Sequence, residues 1–174
     1  MTASALTIIN MNSVIERGCM ITIDKFLKHA IERDYMSGVE RDKYRVKATA
    51  EVFTPDGLVM EILDKIFELD PESFTDPERT YLDPSCGDSQ FLVWVVLYKL
   101  LQGNTALLDD EEVLQLDVTA EFEQALKTVY GVDLMPDNVE LSKQRLLCGH
   151  EEFRYIVDKN IRCENALTYD FSFE

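Results

Sequence analysis

Tyr81-Leu82-Asp83-Pro84-Ser85-Cys86-Gly87-Asp88-Ser89-Gln90-Phe91 is the stretch that decides the fold. A short apolar run ends in an acid, a tight polar turn follows, and the chain from Gln90 to Gln102 is then apolar nearly all round. This is a strand, a loop and an interior helix, in the order that α/β folds use to build a nucleoside site. The turn lacks the run of glycines that a phosphate-cradling loop carries.

Downstream, the pattern repeats. Thr128–Asp133 reads as a second strand that also ends in an acid, and Pro136-Asp137-Asn138 opens a helix with Val139, Ser142, Leu146 and Leu147 facing inward. Asn160–Cys163 reads as a short third strand, followed by Glu164-Asn165-Ala166-Leu167 and a brief tail from Tyr169. Strands that alternate with helices imply a doubly wound α/β sheet of parallel strands. Ligands of such sheets bind at the carboxyl ends of the strands, where Asp83, Asp133 and Asn165 stand. A single acid in that place is often a turn or helix cap; three polar side chains in register make a candidate site.

Upstream, Thr22 suits a helix N-cap, with Ile23, Phe26, Leu27, Ala30 and Ile31 at helical spacing. Arg41-Asp42-Lys43-Tyr44-Arg45-Val46-Lys47 reads either as a solvated loop or as a phosphate contact. Thr54 as N-cap, Pro55 at the first helical position and Asp56 at the positive end of the dipole start a second helix. Leu58, Val59, Ile62, Leu63, Ile66 and Phe67 would form its buried stripe, and Pro71 and Pro77 bracket a polar linker. Asp109, Asp110, Glu111, Glu112, Asp117, Glu121 and Glu123 mark an acidic, partly helical excursion between the first two strands. The chain thus divides into an N-terminal arm (1–20) and one domain (21–174), with a helical lead-in over 21–70 and the α/β part over 78–174.

The 174 residues carry 17 basic and 33 acidic side chains, a net charge of −16. Such an excess opposes unassisted nucleic-acid binding, so DNA is expected to be held weakly or through a partner. Cys19, Cys86, Cys148 and Cys163 show neither zinc spacing nor a C-x-x-C pair, which points to reduced thiols in the cytoplasm and no metal site. Phe91–Leu101, the longest apolar run, is interrupted by Lys99 and falls short of the ~20 residues of a membrane span, so no membrane association is expected.

Asp83-Pro84-Ser85-Cys86-Gly87-Asp88-Ser89-Gln90-Phe91 resembles the first motif of the adenine-N6-specific DNA methyltransferases of restriction–modification systems. Val52-Phe53-Thr54-Pro55 resembles the motif before it, Tyr130–Asn138 the second, and Asn160–Leu167 the third. The resemblance covers roughly 45–170 and extends to the short stand-alone methylase-like proteins of phages. It implies a partial Rossmann-like class I methyltransferase fold, with about three parallel strands in the order 3-2-1, flanking helices and an N-terminal helical segment.

The implied cofactor is S-adenosyl-L-methionine. The resemblance gives Asp83 to its ammonium group, with Pro84, Cys86 and Gly87 shaping the turn and Phe91 completing the motif. It gives Thr54 to the cofactor carboxylate at a helix N-terminus, a sound anion site in itself, and counts Phe53 of the same motif among the cofactor-binding residues. Asp133 would accept the ribose hydroxyl protons, Leu134 and Met135 would pack on adenine, and Asn165 with Ala166 would meet the adenine amino group. On the residues alone, Asp83 also reads as a turn cap, Thr54 as an ordinary N-cap, Gly87 as a source of positive φ and Met135 as core.

The chain departs from the family in two places. Ser89 stands where the family has glycine; if that backbone is left-handed, a serine costs on the order of 1 kcal/mol, and its side chain is expected to crowd the cofactor. The catalytic signature, Asn or Asp followed by Pro-Pro and an aromatic residue, does not occur, so no catalytic residue is assigned. The sequence therefore implies a cofactor-binding part that needs a second protein for catalysis, with the edge of the first strand covered by another chain, a second copy or the segment Leu6–Ile9. Two other readings stand beside it: a non-catalytic S-adenosylmethionine sensor or decoy working through protein contacts, and an inactive remnant.

Overall fold

The computed structural model of the protein describes residues 20–31 and 54–173. Phe53, the basic stretch at Arg41–Lys47 and the arm at 1–19 lie outside the described residues. Three parallel strands form one sheet: β1 (Tyr81–Asp83), β2 (Val129–Asp133) and β3 (Ile161–Cys163), with β2 in the centre. The strand order is the expected one, and each strand starts one residue later than the Thr80–Asp83, Thr128–Asp133 and Asn160–Cys163 that the sequence suggests. Register places Asp83 opposite Gly131 and Asp133 opposite Cys163, so the end of β2 steps two residues beyond that of β1.

The helices are α1 (Ile23–Ile31), α2 (Asp56–Leu69), α3 (Glu72–Thr75), α4 (Gln90–Leu100), α5 (Glu111–Leu114), α6 (Thr119–Lys127), α7 (Pro136–Leu147) and α8 (Arg154–Asn160). Every α4 residue except Phe91 is buried, as its all-round apolar pattern requires. It packs on β1 and β2 while touching α1, α2, α6 and α7. Gly131 shows why it can come so close: a Cβ there would stand 3.1 Å from Leu92 and 2.9 Å from the Cys86 sulfur.

Leu92 marks the helical side of the sheet, and α7 and α8 join α4 there. Side chains alternate along a strand, so Tyr130 faces the other way. On that side Phe173 packs on Tyr130, ring centroids 4.8 Å apart, and Tyr169 and Phe171 complete an aromatic cluster. Among the described residues the helices that touch the sheet thus cover a single face, where a doubly wound sheet would have two. The final segment is a packed cover more than a tail, with Phe173 8 % exposed.

Several sequence expectations are corrected. Leu58 and Ile62 of α2 and Ile31 of α1 are exposed, because those helices bury a narrower stripe centred on Val59 and Leu63, and on Phe26 and Ala30. Pro55, extended at ψ 145, precedes the first turn of α2, so that helix starts one residue later than expected. The polar linker holds Phe74, which stacks on Tyr81 at 5.6 Å and meets Tyr98 at 5.1 Å, joining α3 to β1 and α4. The acidic excursion is not only a solvated face: α6 buries Phe122, Ala125 and Leu126. Helix α8 is not among the expected elements, although Phe153, Ile156, Val157 and Asn160 recur at helical spacing and are all buried.

Candidate functional site

The carboxyl ends of β1 and β2 are joined by the turn after β1. Asp83 ends its strand, and its Oδ1 accepts the Ser85 N–H at 3.0 Å, which folds the chain sharply. The Cys86 N–H donates to the Val132 carbonyl at 2.9 Å and the Ser89 N–H to the Cys86 carbonyl at 2.7 Å. Gly87, at φ +54 with open space around its Cβ position, turns its N–H onto Asp133 Oδ2 at 3.0 Å. Asp133 Oδ1 accepts the Met135 N–H at 2.8 Å and the Asn138 side-chain amide at 3.2 Å. One carboxylate therefore ties the turn after β1 to the start of α7.

Burial pushes the Asp83 carboxyl above the usual carboxylate range; the Ser85 amide offsets part of this, and the nearby Asp133 charge adds to it. Burial and the same two carboxylates push the Cys86 thiol up to about 12, so it is a packed, protonated side chain. Two acids set at neighbouring strand ends, one with a raised pKa, make an environment that favours a cation and repels an anion.

The predicted positions fall into two groups. Asp83, Cys86, Gly87, Asp133 and Met135 are brought together by the bonds just described. Leu134, 62 % exposed, lies beside them, and its carbonyl receives the Cys163 thiol at 3.7 Å. The Glu164 N–H donates to the Asp133 carbonyl at 3.0 Å and carries the third segment to the site. There Asn165 caps its own turn, its Oδ1 accepting the Leu167 N–H at 3.0 Å, with Ala166 half-buried next to it. Pro84 is exposed at the rim. Phe91 is half-buried against the apolar core, and Thr54 is half-buried just before α2.

Ser89 answers the question its sequence position raised. Its φ is +62, so the backbone is left-handed there, as expected of a position that favours glycine. Its side chain does not crowd the strand ends: it is 0 % exposed and shares a hydrogen bond with Ser142 of α7.

A polar network that the sequence reading does not include lies beneath this turn. Arg145 of α7 is buried and reaches Asp88 with Nη1, at 2.9 Å from the carboxylate and 2.8 Å from the carbonyl. Its Nη2 donates to Gln90 Oε1 at 2.6 Å. Gln90 in turn donates to Asp56 of α2, which also receives the Trp94 indole N–H at 2.9 Å. One signal was present: Arg145 follows Ser142 by three residues on the inward stripe of α7, an unusual place for a cation.

These features define an α/β protein whose three-stranded parallel sheet gathers acids at its carboxyl end. Comparison with protein-family models, curated proteins and solved structures yields no match. Among the described residues no group of His, Cys, Asp and Glu could hold a metal ion, and no helix is long and apolar enough to cross a membrane.

Proposed function

We propose that this chain binds S-adenosyl-L-methionine at the ends of β1 and β2, as the cofactor-binding part of an adenine-N6 DNA methyltransferase of class I, Rossmann-like build. One observation carries the reading. The Gly87 N–H, which a phosphate-binding turn would offer to its ligand, is turned onto Asp133 beside a second carboxylate. A dinucleotide or nucleotide would bring its phosphates against two acids with that amide already engaged. A nucleoside that carries an ammonium group suits the same place.

Asp83 takes the ammonium, and that cation lowers the raised pKa of the acid. A carboxylate offers about four acceptor positions, and three on Asp133 are engaged, so one ribose hydroxyl is accommodated directly. The second displaces the Asn138 amide, the longest of the three contacts at 3.2 Å. Leu134 and Met135 give adenine an apolar flank, and Asn165 and Ala166 lie towards its amino edge. Thr54 precedes α2 and would serve the cofactor carboxylate, with Phe53 of the same motif beside it in sequence. When bound, the cofactor supplies an electrophilic sulfonium methyl group. The sequence contains no two adjacent prolines, so the groups that hold a flipped adenine are not among its residues, and methyl transfer is assigned to a complex with a partner.

The −16 charge favours a second reading, a non-catalytic S-adenosylmethionine sensor or decoy that acts through protein contacts. Calorimetric titration with S-adenosylmethionine, S-adenosylhomocysteine and ATP tests the site, with Asp133→Ala as control. Micromolar binding of the first two, lost in Asp133→Ala, with ATP silent, supports it. No binding at millimolar ligand, or ATP binding equally well, overturns it. DNA retention with a steep salt dependence would sink the decoy reading.

A further inference from the structure

Arg145 belongs to α7, 57 residues beyond Asp88. It nevertheless meets three other segments at once. Its guanidinium binds Asp88 through carboxylate and carbonyl, Gln90 at the start of α4, and the Ala30 carbonyl of α1 at 3.4 Å. Gln90 extends the chain to Asp56 at the start of α2. Asp88, Ser89, Gln90 and Arg145 are each at most 4 % exposed, so the network is closed to solvent on their side.

The network sits directly under the part of the turn whose geometry is least comfortable. Gly87 and Ser89, on either side of Asp88, both have left-handed backbones, at φ 54 and 62. A serine held at positive φ drifts to an ordinary conformation unless its surroundings over-determine it. Here the restraints are the Ser142 hydroxyl on the Ser89 side chain and Arg145 on both the side chain and the carbonyl of Asp88. The Asp88 carbonyl shares its peptide plane with the Ser89 N–H, and that N–H holds the Cys86 carbonyl, whose own peptide plane carries the Gly87 N–H. If the Asp88 carbonyl swings, the Ser89 N–H lets go of Cys86, and the Gly87 N–H is free to leave Asp133.

We propose that Arg145, acting through Asp88, is the positioning residue that locks the turn after β1 in the conformation that aims the Gly87 N–H at Asp133. Through Gln90 and Asp56 the same cation fixes where the start of α2 lies relative to that turn. The planar fork of arginine is essential, because two different nitrogens serve Asp88 and Gln90; a lysine at the same place offers one point charge and cannot span both. The consequence for ligand affinity rests on the proposed cofactor reading, whereas the consequence for the turn does not.

The experiment is residue-resolved amide exchange on the ligand-free protein, comparing wild type with Arg145→Lys. The expected result is at least tenfold faster exchange at Gly87 and Ser89, with the central amides of α4 unchanged. Equal acceleration of turn and α4 amides would assign Arg145 to global stability alone and overturn the proposal, as would an unchanged Gly87. Should Arg145→Lys not fold, Asp88→Asn keeps shape and volume at the other end of the pair and must give the same selective loss. Titration with S-adenosylmethionine then separates the two claims. A wild type that does not bind overturns the cofactor reading but not the lock. A wild type that binds, with a folded Arg145→Lys binding within twofold of it, overturns any role of the lock in affinity.

Discussion

Asp83 carries a conflict between stability and binding. Its raised pKa means that the folded protein holds the Asp83 proton more tightly than the unfolded chain does. Its ionised form therefore destabilises the ligand-free fold above the folded pKa, and that penalty fades as the pH falls through it. Asp83→Asn is expected to raise the Tm of the ligand-free protein at pH 7 to 8, with the gain shrinking towards the ordinary carboxylate pKa of 3.8. The same variant should lose affinity for an ammonium-bearing ligand; thermal scans across pH with and without S-adenosylmethionine check both halves. Ser89 sets two effects of similar size against each other. Ser89→Gly relieves about 1 kcal/mol of left-handed strain but strands the buried Ser142 hydroxyl at about 1–3 kcal/mol, so denaturant titration should find it between neutral and about 2 kcal/mol destabilised. Ser89→Ala keeps the strain and strands the Ser142 hydroxyl, and should cost about 1–3 kcal/mol.

At the level of elements, α4 depends on how it ends as much as on how it starts. Gly103, at φ +74 just beyond it, has no room for a side chain, since a Cβ would stand 2.4 Å from the Phe67 ring of α2. Gly103→Ala combines left-handed strain with overpacking against a fixed aromatic, and an unfolding titration is expected to show a loss of about 2–5 kcal/mol. The strands and α4 were legible because their patterns are local: an apolar run closed by an acid, then a helix apolar on every side. The left-handed turn was legible for the same reason, since Gly87 and Ser89 lie within the stretch that defines it. Helix α8 was passed over because its apolar residues are few and set among charged ones. The exposure of Leu58 and Ile62 was beyond reach, since the width of a buried stripe depends on which neighbours arrive. Arg145 and Asp88 meet only after folding, and no local pattern announces a pair so far apart in sequence.

For the whole molecule, a net charge of −16 on a 20.0 kDa chain is a standing self-repulsion. Raising the ionic strength from about 10 mM to 150 mM shortens the Debye length from about 30 Å to 8 Å and should raise Tm, which a salt series in a thermal scan would read. The outer edge of β1 has no strand partner among the described residues, and Leu82 on that strand is 49 % exposed. We propose that a second protein, or a second copy of this chain, covers it. In amide exchange on the isolated monomer, an outer edge of β1 fully open to solvent with no concentration dependence would refute a second copy.

The buried thiol beneath the turn has a practical consequence. Cys86 lies against Gly131 and exchanges no electrons or protons in anything proposed above. It is shielded, whereas Cys163 on β3 is exposed, so an alkylating reagent meets one at once and the other only when the turn opens. With Cys19 and the buried Cys148 replaced by serine, the lag between the labelling of Cys163 and of Cys86 is a clock for the opening of the turn. The molecule carries its own reporter at the one place where occupancy by a ligand would slow it.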